Sequence, residues 1–152
     1  MLSYDDRRFV MTHPVARRAS APPAGLDLLS RARTGLDRAL LLTTPNERYA
    51  AAHLAALRGA AAVIAVRADP LPEPRRRRRT PIRSAWEVLT ETAPELAEWA
   101  AFFAAGADRR ARAEAGLPDA VSAREADDLV RDVAAFLRLV ERATGLTGGD
   151  AH

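Results

Sequence analysis

Apolar positions recur every three to four residues through most of this chain and nowhere alternate with period two. The pattern therefore predicts helices and no sheet. The cleanest case is 122–144, where Ala126, Leu129, Val133, Phe136 and Val140 fall on one face and Asp127, Asp128, Arg131 and Arg138 on the other. A first helix is predicted over 26–43, with Leu29, Ala32, Leu36, Ala39 and Leu40 inward and Arg31 and Arg38 outward. The second, over 45–68, is apolar almost all the way round and carries two stripes. One is large (Leu54, Leu57, Ala61, Ile64) and one is small (Ala52, Ala55, Gly59, Ala62). A helix with so little polar surface belongs in the middle of a bundle or in a dimer seam. The large stripe is expected to share one core with that of the last helix. The small one invites a close neighbour, so the helix is expected to pack on both sides.

Helix boundaries are marked locally. Thr44-Pro45-Asn46-Glu47, Ser84-Ala85-Trp86-Glu87 and Ser122-Ala123-Arg124-Glu125 each read as a capping box that opens a periodic segment. Pro45 suits the first helical position. The third helix starts at Ser84 and is expected to break near Pro94, with Thr92 capping the second segment. Leu89, Leu96, Trp99 and Phe103 face the core, whereas Phe102 points toward another helix or a second chain. Gly106 stops this segment, a short polar helix follows over 107–115, and Gly145 ends the last helix. The fold class is thus all-α: an antiparallel bundle of four main helices plus one short helix. It spans 25–146, after a disordered N-terminal tail over 1–24 and before a disordered C-terminus over 147–152. A Pro- and Arg-rich loop over 69–83 interrupts it.

Composition changes this picture in two ways. The chain has 152 residues and no Cys, which excludes disulfides and thiolate metal sites. All 23 basic residues are Arg, and they are unevenly placed: residues 1–83 hold 16 Arg against 7 acids, and 84–146 hold 7 against 12. The basic half can attract a polyanion or the acidic half of another chain. Five consecutive Arg, Arg75, Arg76, Arg77, Arg78 and Arg79, lie between Pro74 and Pro81 as the densest charge cluster, suited to phosphate contacts. No aromatic is interleaved there to stack a base. No apolar run approaches the roughly 20 residues of a membrane span. Arg7-Arg8-Phe9-Val10-Met11 is followed by His13, Pro14, Arg17 and Arg18 rather than by an apolar segment, so no export signal is read and a cytoplasmic location is expected.

Several segments together carry a resemblance. Glu47-Arg48-Tyr49-Ala50 through Ala65, the Ser84-Ala85-Trp86-Glu87 turn, Ala93-Pro94-Glu95-Leu96-Ala97-Glu98-Trp99-Ala100 and Ala123-Arg124-Glu125-Ala126-Asp127-Asp128-Leu129 resemble a small branch of the HEPN (higher eukaryotes and prokaryotes nucleotide-binding) domains from GC-rich Gram-positive bacteria. The likeness covers about 26–146. It implies a bundle of four or five helices, usually a homodimer. Many HEPN proteins are metal-independent RNases in which an Arg, followed after four to six residues by a His, acts across the dimer on the ribose 2′-hydroxyl and the adjacent phosphate. Others bind RNA, nucleotides or a partner protein without cleaving.

Arg48 and His53 fit that spacing and are the candidate catalytic pair. Arg48 would neutralise phosphate, and His53 would move the proton at the 2′-hydroxyl. Five residues along a helix turn through about 500°, so the side chains diverge by about 140° and only a cross-dimer site would bring them to one substrate. The opposing reading has His53 hydrogen-bonded inside the bundle and Arg48 paired with an acid. Three His and no Cys give no metal-ligand spacing, and neither metal nor cofactor is expected. Two functions are carried forward. The first is RNA- or nucleotide-related binding with RNase activity as its catalytic form, the five arginines holding RNA. The second is a non-catalytic helical module that binds a partner protein.

Overall fold

The computed structural model describes residues 21–67 and 83–146. Six α-helices make up most of them: α1 (Ala21–Ala39), α2 (Pro45–Arg67), α3 (Ala85–Thr92), α4 (Ala97–Ala105), α5 (Ala107–Glu114) and α6 (Ala123–Thr144). A 3-10 turn, Pro94–Leu96, joins α3 to α4, and no strand occurs among the described residues. The all-α bundle read from the periodicity is the fold. α2 is its hub and packs against α1, α6, α3 and α5.

Contacts fix the directions. Gly25 near the start of α1 lies against Val66 and Ala62 near the end of α2 and against Leu146 beyond α6. α1 is therefore antiparallel to both. α2 and α6 run parallel: Arg48 meets Asp127 at their starts, Gly59 meets Leu137 in the middle, and Arg67 donates to the Ala143 carbonyl at their ends. The long excursion through α3–α5 makes a parallel pair possible between helices that are not consecutive.

The stripes of α1 and α6 face inward as their periodicity requires, with one exception. Leu129, Val133, Phe136 and Val140 are buried, and so are Leu29, Ala32, Leu36 and Ala39. Leu40 is exposed because α1 ends at Ala39, not near 43, and turns away through bonds from Leu41 N to Arg38 O and Leu42 N to Ala39 O. At its other end α1 begins earlier than expected and takes in residues 21–24 of the predicted tail. Pro22 and Pro23 fall in its first turn, where a missing amide hydrogen costs nothing.

α2 meets half of the expectation: the small stripe, Ala52, Ala55, Gly59 and Ala62, is buried against close neighbours, whereas the large stripe is not buried. Its buried face is Tyr49, Ala52, His53, Ala55, Ala56, Gly59, Ala60, Ala62 and Val63. Leu54 is exposed, and Leu57, Ala61 and Ile64 are only partly covered. A central helix must let its neighbours approach closely, and small residues do that. A Cβ at Gly59 would stand 2.6 Å from Leu137 Cδ2 and 3.5 Å from the Phe136 ring. α2 also has the length and mean hydropathy, 1.5, of a membrane-crossing helix, which the reading of the chain did not anticipate. Half of that apolar window is buried inside the bundle.

The caps form with one simplification. Thr44, Ser84 and Ser122 each accept from the amide three residues on, but among the described residues only Ser122 and Glu125 complete the reciprocal box. Glu87 turns instead toward Arg83. The break at Pro94 is present, though Thr92 does not cap it: its hydroxyl donates back to Val88 O, and Ala93 holds the boundary. Gly145 closes α6 in the left-handed conformation, φ 73°. The five arginines 75–79, most of the 69–83 loop, tail residues 1–20 and 147–152 lie outside the described residues.

Candidate functional site

α2, α4, α5 and α6 enclose a cleft of about 530 Å³. Its floor is Tyr49 and His53 from α2 with Phe103 from α4. Gly106 lets α4 turn into α5 directly above them, since a Cβ there would stand 3.0 Å from the Tyr49 hydroxyl. Asp108, Arg109 and Arg112 line one side, and Glu125, Asp128, Leu129 and Asp132 the other. Phe102 stands at the rim, 48% exposed. A second cavity of about 330 Å³, lined by Glu98, Trp99, Phe102 and Asp132, adjoins it through the last two residues.

His53 belongs to the aromatic core. It is 1% exposed, with Trp86 and Phe103 edge-on at 6.0 and 5.9 Å and Tyr49 stacked at 6.5 Å. Its Nε2 lies 3.1 Å from the Phe103 carbonyl. A carbonyl only accepts, so Nε2 carries the proton and donates. Burial disfavours the charged ring and lowers its pKa below the ordinary 6.5, against the opposing pull of that hydrogen bond. Nδ1 is then a bare acceptor, buried and without a partner among the described residues. Tyr49 shares the burial, which raises its phenol pKa.

Arg48 faces elsewhere. Its Nη1 donates to Leu42 O at 2.8 Å, and its Nε lies 3.2 Å from Asp127 Oδ1, an ion-pair distance without hydrogen-bond geometry. Its side chain is 15% exposed, and it does not line the cleft. The two residues picked out by spacing thus have separate partners within one chain, as their helical divergence requires. The arginines 75–79 lie outside the described residues.

Charge around the cleft is partly neutralised. Arg109 Nη1 donates to Glu125 Oε2 at 3.1 Å, while Glu125 also accepts from the Ser122 amide, which lowers its pKa. Arg131 donates to Asp128. Asp132 has no ion-pair partner among the described residues, and its pKa is raised by burial first and then by Asp128. Among the described residues no group of His and acids could hold a metal ion. Asp132, Arg109 and Arg112 escaped the sequence reading because each sits in an ordinary run of alternating charges. Only the packing of α5 on α2, across the cleft from α6, turns those runs toward one cavity.

The architecture is an all-helical bundle with α2 at its hub. Residues 39–141 match the family described as SAV_6107-like HEPN, and the chain belongs to that HEPN family. Comparison with curated proteins and with solved structures gives no match.

Proposed function

We propose that this chain is a non-catalytic HEPN module of the cytoplasm, which acts by binding a partner protein rather than by cleaving RNA. One observation carries the reading: His53 is sealed in the aromatic core, with its single proton donated to the Phe103 carbonyl. A general base must reach the proton it abstracts, directly or through one water. Here the ring is walled by Tyr49, Trp86 and Phe103, and it is neutral by burial. Arg48 is likewise occupied by Leu42 O and Asp127.

RNA cleavage by the pure protein in chelator tests the reading. No cleavage is expected from the parent, and none from His53→Gln. Cleavage by the parent that His53→Gln abolishes would overturn it and restore the Arg48–His53 pair as catalytic. A second reading, RNA binding without chemistry, rests on Arg75 to Arg79. If those arginines hold single-stranded RNA, replacing all five by Ser should flatten the dependence of log affinity on log salt by up to about 3.5 units.

A further inference from the structure

We draw no further inference here: the strongest candidate, the outer stripe of α2 formed by Leu54, Leu57, Ala61 and Ile64, is an apolar helix face left partly exposed by the bundle, and nothing in the structure shows what covers it.

Discussion

α2 and α6 are nearly equal in length, 23 and 22 residues, and lie side by side, yet they bury opposite kinds of residue. α6 buries its large side chains, Leu129, Val133, Phe136, Leu137 and Val140, and turns charge outward. α2 buries mainly small residues, Ala52, Ala55, Ala56, Gly59, Ala60 and Ala62, with Tyr49, His53 and Val63 the large exceptions, and leaves Leu54 outside. The difference follows from position. α6 lies at the edge of the bundle and inserts one apolar face into it. α2 has neighbours on several sides, so its surface must be small wherever a neighbour brings large residues. Gly59 beneath Leu137 and Phe136 is the point where the two strategies interlock.

The comparison can be broken first at Phe136. This ring is fully buried, at 5.0 Å from Phe103 and 5.6 Å from Trp99. Phe136→Ala should cost about 3–5 kcal/mol in urea unfolding, and a loss below about 1 kcal/mol would place it outside the core. The α2 side of the same contact should resist growth instead of shrinkage. Gly59→Val forces Leu137 to move and is expected to cost about 1–3 kcal/mol by the same measurement. A neutral Gly59→Val would mean that the two helices are not closely packed.

The third prediction concerns pH. Burial depresses the pKa of folded His53, while the unfolded chain titrates near the ordinary 6.5. Below that pH the unfolded state binds the proton that the folded state refuses. Stability from this group is therefore complete above about 6.5 and falls as pH drops toward the folded pKa. His53→Gln keeps a donor for the Phe103 carbonyl but does not titrate. The stability difference between parent and variant should shift against the parent between pH 7 and pH 5, and a constant difference would show His53 to be solvated. The smallest effect is expected at Leu54. Leu54→Ala should change stability by no more than about 0.5 kcal/mol, although the same substitution at a core leucine would cost several times that.

These residues also mark how far the sequence could be read. The stripe of α6, the caps at Thr44, Ser84 and Ser122, the break at Pro94 and the stops at Gly106 and Gly145 are all local. Each depends on residues within a turn or two of one another. The inward face of α2 is not local. The small stripe was legible as a seam for a close neighbour, but size also favoured Leu54 and Ile64, and only the packing of α1, α3, α5 and α6 around the helix shows that the large stripe stays outside. The cleft was less legible still, because its walls come from four helices and its carboxylates look like ordinary surface charge. The Arg48–His53 spacing was visible at once. What spacing could not give was the destination of each side chain, the Phe103 carbonyl for one and Leu42 with Asp127 for the other.

The central claim, that His53 is a sealed and neutral member of the core, is tested most directly by the long-range proton–nitrogen NMR spectrum of its ring. Its signals are separated from those of His13 and His152 by comparison with His53→Gln. The expected result is the tautomer protonated on Nε2, persisting as pH falls below 6.5. A ring that titrates at or above 6.5, or that carries its proton on Nδ1, would contradict the account.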